Sequence, residues 1–248
     1  FRKLSTLFIF KRAVILKKMW LYWVLSSGLL MFSHTALAVT GFSEINNIIF
    51  DSAHLKNIKQ EGILNYTFKR ESDLTGPRED TIDLILTNLR NTGRKDTHIE
   101  FFTGKYNRPY QDRENQKGNT VVVFFLEYDV RELAKTINSA RPERWHYLQK
   151  KVKWQLARGA KKKDIEIDYD GNKVAAVQYI IQPYVHDPKK EDMNLYANKY
   201  YIFTLSESIP GGIYQVRTVV PNGTKWTEGD EAIIDESVTF VGFTPTGS

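Results

Sequence analysis

Residues 121–137 read VVVFFLEYDVRELAKTI, and how this stretch is divided decides the fold. The run VVVFFLEY is continuously apolar, the pattern of a strand covered on both faces, so it is expected to form a central strand of a sheet. Val130, Leu133, Ala134 and Ile137 then recur at helical spacing, which predicts a helix starting at Val130. Asp129 would be its cap, with Glu132 at the capping-box position three residues on. If the strand ran further, Glu127 and Asp129 would share a face as paired carboxylates able to do acid–base work. Capping explains the same spacing without a reaction.

Outward from this stretch, period-two alternation recurs. LNYTFK sets Leu64, Tyr66 and Phe68 against Asn65, Thr67 and Lys69; TIDLILT sets Ile82, Leu84 and Leu86 against polar neighbours; THIEF adds Ile99 and Phe101. Further on, IEIDYDGNKVAAVQYIIQ (165–182) predicts a hairpin turning at Asp170-Gly171-Asn172. KYYIFTLSESIPGGIYQVRTVV (199–220) predicts a second around Pro210-Gly211-Gly212, and SVTFVGF (237–243) a last strand. A helix is expected between Pro142 and Gly159, residues favoured at helix ends, and a weaker one over 42–58. Polar loops are expected at 103–119 and 183–198. The fold class is therefore α+β: a predominantly antiparallel, curved β-sheet, an open or half barrel, with two or three packed helices.

The chain carries 35 Lys/Arg against 29 Asp/Glu. The surplus lies in residues 1–38, where Arg2, Lys3, Lys11, Arg12, Lys17 and Lys18 meet no acid. That segment has the anatomy of an export signal: Lys17-Lys18, the apolar run MWLYWVLSSGLLMF, then SHTALA with small residues at Ala36 and Ala38. Met19–Ala38 is long enough to span a bilayer, but its polar residues and the Ala36-Leu37-Ala38 site favour cleavage after Ala38 over a retained anchor. The chain opens on Phe1, and residues 1 to about 18 are expected to be translated upstream sequence. The expectation is a periplasmic protein with one domain, 39–248, whose charge is balanced. With no cysteine, neither a disulfide framework nor a lipid-bearing thiol is available.

A balanced, exported chain argues against nucleic acid. Charge is nevertheless concentrated locally, since RWHYLQKKVKWQLARGAKKKD (144–164) holds eight bases and one acid. On a helical wheel Trp145, Leu148, Val152 and Leu156 form the packing stripe, while Tyr147, Lys150, Lys151, Trp154 and Arg158 share the other side. Two readings stand open for that basic aromatic face: Trp154 tucks under a loop such as 183–198, or it is offered to lipid headgroups or an envelope protein.

Signatures of chemistry are sparse. The chain has no G-x-S-x-G, H-E-x-x-H, phosphate-binding or dinucleotide-binding motif. His54 suits a helix cap, His98 and Glu100 share a strand face, His146 belongs to the basic helix, and Tyr184, His186 and Asp187 share a long loop. No metal site and no cofactor are expected. VVVFFLEYDVREL (121–133), IIQPYVHDP (180–188) and YANKYYIFTLSESIPGGIYQV (196–216) resemble a family of exported proteobacterial proteins of unknown function. The architecture is similar to the periplasmic half-barrel carriers of the lipoprotein-localisation type. That resemblance implies helices set in a curved sheet around a hydrophobic cavity, lined here by Tyr66, Phe68, Phe101, Phe124, Phe125, Tyr179, Tyr201 and Phe203. The expected function is non-enzymatic binding of an apolar or lipid-like ligand or an envelope component, membrane contact being at most peripheral. An interaction module built on the basic helix face is the alternative. An envelope hydrolase would instead need His186 or His98 to meet a carboxylate and a nucleophile in one cleft.

Overall fold

The computed structural model describes residues 44–137 and 141–246. The proposed signal segment and cleavage site lie outside them. Nine antiparallel strands form one open sheet: β1 (Gly62–Ser72), β2 (Arg78–Thr87), β3 (Lys95–Phe101), β4 (Arg113–Gln116), β5 (Lys161–Tyr169), β6 (Asn172–Ile181), β7 (Tyr200–Leu205), β8 (Ile213–Pro221) and β9 (Ala232–Pro245). Their spatial order is β4-β3-β2-β1-β9-β8-β7-β6-β5. Two meanders are thus joined at the centre by β1–β9, and β4 and β5 are free edges rather than partners in a closed barrel. Helices α1 (Val121–Ile137) and α2 (Trp145–Arg158) lie in the connection between the meanders.

The 121–128 run is not a strand. It is the first half of α1, which is one helix through Ile137. Val121, Val122, Phe124, Phe125, Leu126, Tyr128 and Val130 are all buried, so the helix is apolar nearly all round and its periodicity disappears into a continuous run. The β-branched valines are held helical by tertiary burial and by a cap at the other end from the one expected. Asn119 Oδ1 accepts the Val121 amide at 3.2 Å, and the Thr120 carbonyl accepts those of Val123 and Phe124 at 3.1 Å. Asp129 therefore caps nothing; it sits mid-helix and buried.

Both hairpins form where the turn residues place them. Asp170 (φ 50°) and Gly171 (φ 73°) make the two-residue turn between Tyr169 and Asn172, the left-handed pair that matches strand twist. In the β7–β8 connection Gly211 has φ 76°, and a Cβ there would come within 2.7 Å of Leu64 and 2.9 Å of Asn119, so the turn demands glycine twice over. The 142–159 helix is a turn (Pro142–Arg144) followed by α2, ending at Gly159 with φ 140°. The basic stretch is therefore split between α2 and the edge strand β5. Residues 44–58 form three short turns, Glu44–Asn46, Asn47–Asp51 and His54–Asn57, rather than one helix. The 103–119 loop contains edge strand β4, and the 183–198 loop contains the helical turns Lys190–Asn198.

Rows of facing residues run across the sheet. One passes from Phe68 through Val238, Val216, Phe203 and Tyr179 to Lys162 at the β5 edge. Under β1–β3 the inward residues Leu64, Tyr66, Phe68, Ile82, Leu84, Ile99 and Phe101 are buried, and Phe68 and Phe101 pack against Phe125 and Tyr128 of α1. In β6 the buried positions change phase between Ala176 and Tyr179, so the distal part of the β5–β6 hairpin turns its other face, with Ile167 and Ala176, inward.

Candidate functional site

The aromatic residues expected to line a cavity instead fill the space. Phe68 packs against Phe102, Phe125 and Tyr128 with ring centroids at 4.7, 6.5 and 6.2 Å, and Tyr66 meets Phe240 at 5.5 Å. Phe101, Phe125 and Phe203 are buried with them. Phe124 borders a polar recess of about 580 Å³ beside Tyr110 and Arg113. Aromatic rings of this size, facing a helix rather than solvent, close up into core packing.

Tyr201 belongs to a polar cluster that sequence reasoning missed. Lys199 Nζ donates to Asp129 Oδ1, Tyr201 donates to Asp129 Oδ2 at 2.7 Å, and Tyr184 and Tyr201 share a hydrogen bond at 3.0 Å. Asp129 is 2 % and Lys199 3 % exposed. Burial drives the Tyr184 and Tyr201 hydroxyls far above the ordinary phenol range, with the Asp129 charge adding to it, so both stay protonated as donors. A second pair, Arg70 with Glu236, is joined by Tyr128, whose hydroxyl accepts from Arg70 at 3.0 Å. The pairs Asp129–Lys199 and Arg70–Glu236 are 70 and 166 residues apart in sequence, and no local pattern announces them.

An open cleft of about 710 Å³ lies elsewhere, at the β5–β7 end of the sheet. Its walls are the 48–57 turns, with Ile48, Ala53 and His54; the β5–β6 hairpin, with Ile165, Ala175, Ala176, Val177 and Tyr179; and Leu205 with the loop after it. Asp164, Val177 and Leu205 stand side by side across three strands. None of the lining residues comes from α1 or α2. The cleft is where the sheet extends past its helical cover. Of the expected aromatic set, only Tyr179 reaches it.

The buried polar side chains along this cleft, His54, Asn57 and Ser206, are already paired. His54 Nε2 lies 2.7 Å from the Ile48 carbonyl, and its Nδ1 lies 3.3 Å from the Asn119 amide. An amide can only donate, so Nδ1 accepts and Nε2 carries the proton: the ring is neutral. Burial lowers the His54 pKa, the Ile48 carbonyl works against that, and Lys56 adds a little to it. Asn57 bonds the Ile209 carbonyl and accepts the Gly211 amide, and Ser206 donates to the Ala175 carbonyl at 2.7 Å. Lys56 and Glu207 face each other at 3.9 Å on the rim. What these groups leave uncovered is aliphatic surface.

The basic helix departs from the reading that tucks Trp154 under loop 183–198. Loop 183–198 does cover α2, but over Tyr147: its hydroxyl donates to the buried Asp187 carboxylate at 2.7 Å, and Lys151 Nζ lies 2.8 Å from the same group. Burial alone would raise the Asp187 pKa, but Lys151, Tyr147 and the Lys189 amide outweigh it and hold the carboxylate below its ordinary value. Trp154 is not tucked away. It is 51 % exposed, with Arg158 4.3 Å from its ring centroid and Lys151 at 5.6 Å. Lys150 is exposed one turn before it.

The histidines stay apart. His98 Nδ1 lies 2.6 Å from Asp112 on the surface, His146 stacks on Trp145, and His186 is exposed while Asp187 turns inward. Among the described residues no serine or threonine hydroxyl bonds a histidine ring, and no group of three or more His, Asp or Glu is placed to hold a metal ion. Among them, too, no helix is long and apolar enough to cross a membrane. No family model matches the chain, and no curated protein matches it.

Proposed function

We propose that the protein is a non-enzymatic binding protein that takes a flexible aliphatic chain, lipid-like in character, into the cleft between the 48–57 turns and the β5–β6 hairpin. One observation carries the reading: in an open cleft of about 710 Å³, within the range of small-molecule sites, His54, Asn57 and Ser206 bond backbone groups of the wall and alanine, valine, leucine and isoleucine side chains are left uncovered. The buried polar groups of the wall are spent on backbone partners and are not turned toward a ligand, and an alkyl chain needs no such partner. The export-type N-terminal segment and the likeness to half-barrel carriers support placing this binding in the periplasm, delivering or storing an envelope lipid.

Titration of the full chain with a fluorescent polyene fatty acid tests the reading. Saturable binding is expected, weakened about tenfold or more by Ala175→Trp, which fills the cleft, and by Val177→Arg, which places a charge in it. Absence of binding, or binding that ignores both substitutions, would remove the cleft as a ligand site.

A further inference from the structure

The structure also carries a surface that the cleft does not explain. Lys150, Trp154 and Arg158 recur at four-residue spacing on the outer face of α2, and after the turn at Gly159 the chain continues directly into Lys161, Lys162 and Lys163 on edge strand β5. All three strand lysines are exposed. Lys162 neighbours Tyr179 in the sheet, and its own neighbour in the chain after next, Asp164, lines the cleft. Side chains alternate along a strand, so Lys162 shares Tyr179's helix-covered side of the sheet and reaches the rim of the cleft, while Lys161 and Lys163 point to the other side.

Its charge is not neutralised from within. Lys151 is committed to Asp187, Arg144 faces Asp192 at 3.4 Å and Lys162 faces Asp164 at 3.7 Å. Among the described residues Lys150, Arg158, Lys161 and Lys163 have no carboxylate partner. Lysines on an edge strand also discourage another strand from adding, which accounts for Lys161–Lys163 but not for an indole left half in solvent beside an arginine on the adjoining helix. An indole ringed by long cationic side chains suits the boundary between lipid headgroups and acyl chains: the ring enters the boundary, and the cations reach back to phosphate. A folded protein partner would call for a contiguous apolar centre, and Trp154 is the one large exposed apolar side chain of residues 144–164.

We propose that the surface formed by Lys150, Trp154 and Arg158 on the outer face of α2 docks on an anionic lipid bilayer, peripherally, with Trp154 at the headgroup boundary. The docking stands on charge and on the exposed indole, so it does not depend on what the cleft holds.

The test uses the full chain and vesicles of phosphatidylcholine with or without phosphatidylglycerol, each carrying brominated acyl chains that quench tryptophan on contact. Any contact made by the rest of the chain is common to parent and variants, so the readout is the quenching difference between the parent and Trp154→Phe. That difference is expected on the anionic vesicles at low salt, lost on phosphatidylcholine alone and reduced by added salt. At about fivefold in partitioning per surface cation, Lys150→Ser with Arg158→Ser should shift the titration roughly 25-fold, while Lys105→Ser with Lys225→Ser, removing the same charge elsewhere, should shift it little. Three outcomes would each overturn the proposal: parent and Trp154→Phe quenched alike, equal quenching on both vesicle types, or the two double substitutions behaving the same. If Trp154 stays unquenched by lipid but is shielded by an acidic protein, the surface is a protein interface and not a membrane one.

Discussion

The two ends of the sheet are built on the same alternation and end differently. Under β1–β3 the inward Phe68 and Phe101 meet α1, and Phe68, Phe101, Phe102, Phe125 and Tyr128 interlock into a closed aromatic core. Under β5–β7 the inward Val177 and Leu205 are no less apolar, yet they stay partly exposed along an open cleft. What separates a core from a site here is helical cover. The polar cluster of Asp129, Lys199, Tyr184 and Tyr201 joins α1 to β7, one strand in from the β6–β5 end.

This comparison can be broken by substitution. The largest loss is expected from Phe68→Ala, which opens a cavity in the closed end and should lower unfolding free energy by about 4 kcal/mol in urea denaturation. Val177→Ala in the cleft should cost less than about 1 kcal/mol, because the side chain is already partly exposed and little new cavity forms. Equal losses would mean that the two ends are packed alike. Next comes Asp129→Ala, which leaves Lys199 buried without its counter-charge and should cost about 3 kcal/mol, while Asp129→Leu combined with Lys199→Met should recover most of it. If the double substitution is as damaging as the single one, the cluster matters as a hydrogen-bonded network and not as a charge pair.

The smallest effect is conditional on pH and concerns His54, which ties the cleft wall to the start of α1 through Asn119. Burial holds its folded pKa below the ordinary value of about 6.5, so as pH falls the unfolded chain takes up the proton first. The contribution of the neutral ring is complete above about pH 6.5 and is lost progressively as pH drops through that value toward the folded pKa. His54→Gln should flatten stability against pH in this window, as followed by thermal unfolding. An unchanged slope would place the titration elsewhere.

Much of the fold was legible locally. Asp170-Gly171 and Gly211-Gly212 marked both hairpins because positive φ is a property of a residue and its turn, and the stripe of Leu148, Val152 and Leu156 marked the buried side of α2 because one face of that helix stays wet. VVVFFLEY misled for the converse reason: a segment buried on nearly all sides has no polar face left to reveal its period, and Asn119, not Asp129, supplied the cap. The cleft was illegible because Ala175, Val177 and Leu205 look like any strand residues until one knows where the helices stop.

The sequence by itself determined the antiparallel alternation, the turns, the amphipathic stripe of α2 and the concentration of positive charge in 144–164, all of which follow from the chemistry of near neighbours. Only the tertiary structure decided which apolar residues became core and which became cleft, which distant charges paired, and which aromatic residue of the basic helix stayed outside. Tyr147 and Trp154 lie on one face of one helix, and the loop carrying Asp187 covers the first and leaves the second exposed. Burial is a relation between segments far apart in the chain, and it is set when they pack.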